Sequence, residues 1–304
     1  MQIKRINENL ERDYVRSWIQ KNIRSYIKDN FEITDSGVIL PAFKTTDFNL
    51  KSIPDFKIIS ISENVIITAD QNLTINDFSW LPREIEGDLI IEKASISDFK
   101  GFPEKIKGSL DIIFCKGFKS FKGIKCHVEK NITFRNLDDL KFLECDELTF
   151  GRSGVIIEDS PLENLDNLPK MVGGKSCPWF HIRKTKIKNL IGLPSCVSYL
   201  GVNGDYLEGL EGIPFLVKNE ENESFTNLVN INAGFSSKTF KKINEDYKTY
   251  ISILTDYPMN PGESRIDYIH RVYKQVPEIL TLLAPNEIPG YDPGAGLRKK
   301  FGFY

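Results

Sequence analysis

The 304 residues of the chain include 40 Lys and Arg and 42 Asp and Glu residues, so the formal net charge is only −2. Such a small charge favours neither nucleic acid nor an anionic membrane as a partner. Apolar residues form 40% of the chain, enough for a continuous core. No apolar run reaches the roughly 18 residues of a membrane span, and the amino terminus lacks a signal-like apolar stretch. We therefore expect a soluble, cytoplasmic protein.

Residues 1–49 are predicted to form an amino-terminal cap. Apolar side chains recur every three or four residues between Ile6 and Ile27, which indicates an amphipathic helix. The segment FEITDSGVIL is typical of a β-hairpin whose turn lies at residues 35–37. Because a stacked repeat must cover the apolar face of its first coil, we expect this segment to cap the repeats that follow. The alternative is a helix that docks into a partner protein.

Residues 50–217 repeat a short pattern. Each copy contains a pair of apolar residues one position apart, and the second member recurs at intervals of 24, 21, 22, 23, 25 and 20 residues. Such short units hold too few apolar side chains to close a core alone, so stability requires parallel stacking. The pattern predicts an α+β protein built on a parallel β solenoid of about seven coils. The recurring residues are Ile67, Ile91, Ile112, Phe134, Ile157, Ile182 and Val202.

The best-preserved copy is LPSCVSYLGVNGDYLEGLEGIP, residues 193–214, which begins with Leu-Pro and ends with Ile-Pro. Its order of apolar anchors and a following Asn resembles the leucine-rich repeat. Its Leu-Pro punctuation is similar to that of the bacterial Leu-Pro subtype. The residues that carry this resemblance are Val197, Leu200, Val202, Asn203 and Leu207.

The same copy contains an L-x-x-L-x-G-x-P segment that resembles arrays found in proteins of tailed bacteriophages. The matching residues are Leu207, Leu210, Gly212, Ile213 and Pro214. The resemblance covers residues 50–217. It implies a leucine-rich-repeat-like solenoid, a protein-binding habit and a phage origin, but no enzymatic activity.

The chain departs from the family at the Asn that turns the backbone after each strand. The resemblance assigns this role to Asn203 alone. Other copies hold Cys115, Asn136, Ser160 and Thr185 at the matching places. We therefore expect an irregular solenoid in which hydroxyls, thiols or water satisfy part of the backbone.

Residues 218–304 are predicted to form a carboxy-terminal helical segment. A polar run, KNEENES, marks the boundary, and helical periodicity follows over residues 240–254 and 266–283. These helices are expected to cap the last coil or to form a small domain. The final residues combine three bases with Phe301, Phe303 and Tyr304, which we interpret as a tail that docks in an assembly.

Histidine and cysteine positions do not indicate catalysis. The three His residues lie in different parts of the chain, and the five Cys residues form no C-x-x-C pair, as is typical of reduced cytosolic thiols. Cys126, His127 and Cys145 match no familiar zinc-ligand spacing. We predict no catalytic residue, metal, cofactor or small-molecule substrate. The alternative is an enzyme whose site lies in the carboxy-terminal helices.

Strand alternation predicts which side chains of the solenoid face outward on a concave face. Four isoleucines among them are candidate anchors for a partner protein, and Arg135, Arg183 and His181 are candidate polar contacts. A sheet surface that is merely rich in β-formers is the alternative. The predicted partner-binding residues are Ile66, Ile90, Asp111, Ile113, Thr133, Arg135, Ile156, Glu158, His181, Arg183 and Asn203.

Charges alternate in bands along the repeats. Residues 100–130 hold eight Lys against three acids, residues 138–166 hold nine acids against two bases, and residues 170–188 hold six bases and no acid. Adjacent strips of opposite sign would steer a partner with the opposite banding, or would simply be solvated.

The sequence therefore favours a non-enzymatic module that binds another protein, of host or viral origin, through the concave face. One alternative is a structural component of a viral particle or of a symmetric oligomer, in which copies of the chain bind each other. The expected location is the host cytoplasm, or the virion for a phage-encoded chain. Nucleic acid and membranes are not expected partners.

Overall fold

The computed structural model contains two compact units. Unit 1 comprises Met1–Pro161 and Pro169–Gly174, and unit 2 comprises Leu162–Leu168 and Lys175–Tyr304. The structure describes residues 2–24, 31–40, 45–61, 64–145, 147–151, 154–172, 178–194, 196–203, 206–216, 229–232, 237–260, 262–263 and 265–276.

Unit 1 begins with one helix and continues almost entirely as short strands. The helix is α1, Gln2–Asn22. The strands are β1 Glu32–Thr34, β2 Gly37–Ile39, β3 Thr45–Leu50, β4 Ile58–Ser60, β5 Asn64–Ala69, β6 Thr74–Ile75, β7 Glu84–Ile85, β8 Leu89–Glu92, β9 Ser95–Ile96, β10 Lys105–Ile106, β11 Leu110–Ile113, β12 Cys126–Val128, β13 Ile132–Arg135, β14 Leu148–Phe150, β15 Gly154–Glu158 and β16 Lys170–Met171.

Two parallel sheets form the coils of unit 1. The main sheet contains β3, β5, β8, β11, β13 and β15 in that order, and the second sheet contains β7, β10, β12, β14 and β16. Successive strands of each sheet are about one repeat apart in sequence. The predicted parallel β solenoid of about seven coils is confirmed.

The recurring apolar residues form a ladder inside the main sheet. In unit 1 each member lies directly opposite the next in the neighbouring strand, and every member is fully buried. Burial of one such side chain contributes roughly 1.5–3 kcal/mol, so the ladder supplies a continuous core that no single coil could form. Its members are Ile67, Ile91, Ile112, Phe134 and Ile157.

The Leu-Pro dipeptides mark the approach to the second sheet. Pro82 and Pro103 each lie two residues before a strand, at β7 and β10. Proline cannot donate a hydrogen bond to a neighbouring strand, so it is tolerated just outside the pairing. In these two coils proline therefore marks the approach to the second sheet, whereas Lys125 and Glu147 precede β12 and β14.

A left-handed residue follows each of the strands β8, β11, β13 and β15. Lys93, Phe114, Asn136 and Asp159 of unit 1 have φ values of 53°, 55°, 53° and 51°. Asn136 is one of these left-handed residues. The sequence resemblance placed it at the next position of the repeat, which is buried. The buried position itself holds Ala94, Cys115, Leu137 and Ser160.

Sulfur and hydroxyl groups satisfy backbone atoms at this buried position, as expected. The Cys115 thiol donates to the carbonyl of Ile113 at 3.4 Å. The Ser160 hydroxyl donates to the carbonyl of Glu158 at 3.2 Å and accepts from the backbone N–H of Leu137 at 3.3 Å. Different polar atoms thus satisfy the backbone at this position in different coils.

Replacement of Phe114 by Asn is expected to raise the free energy of unfolding by about 0.5–1 kcal/mol. Phe114 is 54% exposed at φ 55°, so it contributes little burial, and Asn adopts this conformation more readily. Urea unfolding followed by circular dichroism measures the gain. The reciprocal variant, Asn136→Phe, should lose stability, and a destabilised Phe114→Asn protein would contradict the prediction.

The glycine of the L-x-x-L-x-G-x-P segment also has a left-handed backbone conformation. Gly212 has φ +88°, and its missing Cβ would lie 2.3 Å from the backbone nitrogen of Ile191. An asparagine substitutes for glycine in one copy. The other left-handed residues at this turn are Gly101 at +68°, Gly123 at +95°, Gly192 at +104° and Asn167 at 57°.

The amino-terminal cap is confirmed. Strands β1 and β2 pair as the predicted antiparallel hairpin, and α1 packs against β3, the first strand of the main sheet. Trp18 of α1 is 4% exposed, and its ring centroid lies 6.3 Å from that of Phe48. Its indole N–H donates to the carbonyl of Ser52 at 3.2 Å. The helix thus covers the apolar end of the first coil, as a solenoid requires.

Unit 2 contains a row of three parallel strands, a shorter parallel pair and two helices. Strand β21 was not expected, because the prediction ends the array at residue 217. The elements are β17 Trp179–Arg183, β18 Cys196–Val197, β19 Tyr199–Asn203, β20 Phe215–Leu216, β21 Val229–Asn232, α2 Ser237–Asp256 and α3 Arg265–Gln275. The parallel pairs are β17 with β19, β19 with β21, and β18 with β20.

Asn203 does not turn the chain after a strand. It is the last residue of β19 and is still paired in the sheet, where its register partners are Arg183 of β17 and Asn232 of β21. The expected turning role is therefore wrong for this residue. In three other copies the matching place lies three residues after the recurring apolar residue, and its occupants, Cys115, Ser160 and Thr185, are buried.

The first carboxy-terminal helix packs on a coil of unit 2. Tyr250 of α2 is fully buried, and its hydroxyl donates to the carbonyl of Pro214, the last residue of the best-preserved copy. Arg271 of α3 contacts Glu263 at 2.8 and 2.9 Å, which fixes the connection between the helices. None of the described helices is long and apolar enough to cross a membrane. The predicted assembly tail lies outside the described residues.

Candidate interaction surface

The outer face of the main sheet in unit 1 carries two rows of side chains, which we name the outer strip. Alternation in β3, β8 and β11 buries every second residue and leaves the others partly exposed, whereas Thr68 of β5 and Thr133 of β13 are buried. Neighbours within a row are register partners. The first row is Asp47, Ile66, Ile90, Asp111, Thr133 and Ile156. The second row is Asn49, Thr68, Glu92, Ile113, Arg135 and Glu158.

Three isoleucines of the strip lie close together. Ile66 and Ile90 are register partners, and Ile113 is diagonal to Ile90 because it follows the partner of Ile90 by two residues. Diagonal pairs of this kind are within reach of long side chains. All three are half-buried, as is Ile156 further along the first row. The predicted anchors thus keep apolar surface in contact with solvent.

Asp111 interrupts the isoleucines. Burial raises the pKa of its carboxyl above the usual value, and the charge of Asp88 raises it further. A hydrogen bond with Thr133 and the charge of Arg135 act in the opposite direction. The strip therefore holds a carboxylate that its own surroundings stabilise poorly.

Arg135 already has an acidic partner. Its Nε atom lies 3.0 Å from Glu158 Oε2, and the two residues are register partners in the second row. The guanidinium is therefore directed to its own chain, although the sequence suggested a contact with the partner protein. Thr133, another predicted contact, is 8% exposed.

Ion pairs between coils cover the outer face of the second sheet. Lys107 Nζ lies 2.8 Å from Glu84 Oε1 and 2.8 Å from Glu86 Oε2, and Lys105 Nζ lies 3.0 Å from Glu129 Oε1. The ammonium groups hold the pKa of the Glu84 and Glu129 carboxyls below the usual value. This face is thus charged and internally paired, whereas the outer strip also carries half-buried isoleucines.

The predicted charge bands are partly neutralised in the same way. Lys125 of the first positive band lies 2.7 Å from Glu147 of the negative band. In unit 2, Lys188 of the second positive band lies 2.9 Å from Glu208. Charges one repeat apart therefore meet across neighbouring coils, which weakens any field directed at a partner.

The remaining predicted contacts belong to unit 2. His181 and Arg183 lie on β17, and His181 is half-buried with its ring centroid 6.3 Å from that of Tyr199. Arg183 is exposed and Asn203, its register partner on β19, is half-buried. These residues share the outer face of the main-sheet strands in unit 2.

Three buried cysteines of unit 1 are packing residues. Cys115, Cys126 and Cys145 are buried and form no disulfide. Burial raises the pKa of the Cys115 thiol to about 11 and that of Cys126 to about 12, which suppresses the nucleophilic thiolate. His127 Nδ1 lies 3.0 Å from Thr149 Oγ1. Among the described residues, no group of three or more His, Cys, Asp and Glu side chains could hold a metal ion.

Sequence reasoning missed the first strand of the strip. Asp47 and Asn49 of β3 extend both rows by one position, and β3 precedes the first copy of the repeat pattern. The signal was present in the alternation of TTDFNL, whose Phe48 and Leu50 are fully buried. The prediction instead assigned residues 45–49 to the amino-terminal cap.

Comparison of the chain with protein-family models, curated proteins and solved structures found no significant match. The fold and the strip together define a parallel β solenoid with one outer face that carries partly exposed isoleucines. The resemblance to leucine-rich repeats and the phage origin remain predictions from the sequence.

Proposed function

We propose that this chain is a non-enzymatic binding module that holds a protein partner on the outer strip of unit 1. The observation that supports this proposal most directly is the contrast between the outer faces of the two sheets. The second sheet joins its surface charges in ion pairs between coils, whereas the main sheet leaves Ile66, Ile90 and Ile113 half-buried beside one another. Grouped apolar side chains on an otherwise polar surface are typical of interaction sites.

Physical chemistry supports a binding role for these isoleucines. Apolar surface removed from water contributes roughly 25 cal/mol per Å², so a partner that covers the three side chains gains free energy from each. A rigid sheet also holds the side chains in place before the partner arrives, which reduces the entropy lost on binding. The strip is therefore a preorganised surface for a protein.

Two further observations support a binding role in a reducing compartment. The buried thiols of Cys115 and Cys126 have raised pKa values and are poor nucleophiles at neutral pH. Buried cysteines that form no disulfide are also usual in cytoplasmic proteins. We accordingly assign the module to the cytoplasm.

A paired-variant experiment tests this function. The full chain, the strip variant Ile66→Thr/Ile90→Thr and the control variant Arg83→Ser/Glu104→Ser are each used to retain proteins from a cell extract. Threonine preserves the strand preference while it removes apolar surface. The control removes both members of an exposed ion pair, 3.4 Å apart, so it leaves no unpaired charge.

We expect at least one protein to be retained equally by the full chain and the control, and at least about tenfold less by the strip variant. Quantitative mass spectrometry measures the three amounts, and circular dichroism verifies that all three chains are folded. Retention of the same proteins in equal amounts by all three chains would refute the proposed surface.

A further inference from the structure

We infer that the segment bound on the outer strip is a single extended chain that is basic as well as apolar. This inference rests on the proposed function and names the chemistry of its partner. It follows from the size of the strip, from the charges along it and from the surroundings of Asp111.

The dimensions of the strip fit one polypeptide segment. Six strands form the main sheet of unit 1, and strands lie about 4.8 Å apart, so each row is roughly 24 Å long. The two rows are two residues apart along each strand, which corresponds to about 7 Å. An extended chain rises about 3.3 Å per residue, so about seven residues laid across the strands would cover both rows. A whole globular face would need a wider surface.

The charges of the strip select a basic segment. The two rows contain four carboxylates, and Arg135 is the single basic residue among them. Arg135 is engaged with Glu158 at 3.0 Å, and Arg24 borders the strip 3.8 Å from Asp47. Glu92 and Asp111 remain as acidic positions that a partner's Lys or Arg can meet. An acidic segment would be repelled at the same positions.

Asp111 is the position where a cation would gain most. Ile90 is its register partner, and Ile113 follows it by two residues on the same face. A Lys or Arg can lay its aliphatic stem on such isoleucines while its charged end reaches the carboxylate. The raised pKa of Asp111, which burial causes first and Asp88 second, indicates that its charge is poorly stabilised before a partner binds.

A random peptide library tests the inference. A surface-displayed library of peptides about ten residues long is selected on the full chain, and clones that also bind Ile66→Thr/Ile90→Thr are removed. We expect the remaining clones to be enriched in Lys or Arg next to apolar residues. Synthetic peptides from these clones are then titrated by fluorescence anisotropy against the full chain, Asp111→Asn and the control Arg83→Ser/Glu104→Ser.

Asp111→Asn keeps the shape of the side chain and removes its charge, so we expect at least about tenfold weaker binding, with the control unchanged. Strip-dependent clones that are neutral or acidic, or that bind Asp111→Asn equally well, would overturn the basic partner and leave the proposed surface intact. Absence of any strip-dependent clone would overturn the extended segment. The extract experiment separately decides whether the strip binds a protein at all.

Discussion

Replacement of Gly101 by alanine is expected to lower the free energy of unfolding by about 2–5 kcal/mol. Gly101 has φ +68°, a conformation that costs an alanine about 1–2 kcal/mol. An added Cβ would also lie 2.5 Å from the backbone nitrogen and 2.6 Å from the Cα of Ser79. Backbone atoms cannot rotate away as a side chain can, so the coils must separate, at a further cost of about 1–3 kcal/mol.

Gly123 provides the matched control within the same unit. It occupies the equivalent turn at φ +95°, but no atom lies within 4 Å of the position its Cβ would take. Gly123→Ala should therefore lose only the conformational cost of about 1–2 kcal/mol. Urea unfolding of both variants, followed by circular dichroism, separates the contact between coils from the strain in the turn. Equal losses for the two variants would show that the close approach at Gly101 carries no cost.

The solenoid was predictable because its periodicity is a direct consequence of burial. Ile91, Ile112 and Phe134 recur at one-repeat intervals since each must lie over the same residue of the preceding coil. The same periodicity also indicates which charged residues lie next to each other on neighbouring coils, which a count of charges along the sequence does not show. Lys105 and Glu129 are 24 positions apart, and Lys125 and Glu147 are 22 apart. Oppositely charged residues that are one repeat apart in the sequence therefore form ion pairs between neighbouring coils.

Other features required the register between strands. Asn203 was misplaced because the family pattern was aligned to the sequence two residues early, and only pairing with Arg183 locates it inside β19. The turn at Phe114 could not be predicted either, since an exposed aromatic residue gives no sign of a left-handed backbone.

The candidate surface was predictable in part. Alternation alone indicates that Ile66, Ile90 and Ile113 face outward, because the side chains of a strand point to opposite faces in turn. The engagement of Arg135 with Glu158 and the partial burial of Asp111 depend on neighbouring strands. The chemistry of the partner could therefore be inferred only from the positions of the strip residues on neighbouring strands.

Replacement of Trp18 by alanine is expected to lower the free energy of unfolding by about 3–5 kcal/mol. The indole is 4% exposed, and its ring centroid lies 5.3 Å from that of Phe56 and 6.4 Å from that of Trp80. Truncation leaves a cavity at the end of the main sheet, and the carbonyl of Ser52 loses its indole donor. Thermal and urea unfolding measure the loss, and binding of a hydrophobic dye reports the newly exposed core.

Tyr14→Ala, one turn earlier on the same helix, is the matched control. Tyr14 also contacts Phe56, at 6.1 Å between ring centroids, but it is 47% exposed and should cost less than about 1.5 kcal/mol. The comparison distinguishes a cap from a helix that docks into a partner. A cap must cover β3 whether or not a partner is present, so Trp18→Ala should destabilise the isolated chain far more than Tyr14→Ala. A partner-docking helix would leave both variants nearly as stable as the original chain, and that result would contradict the cap.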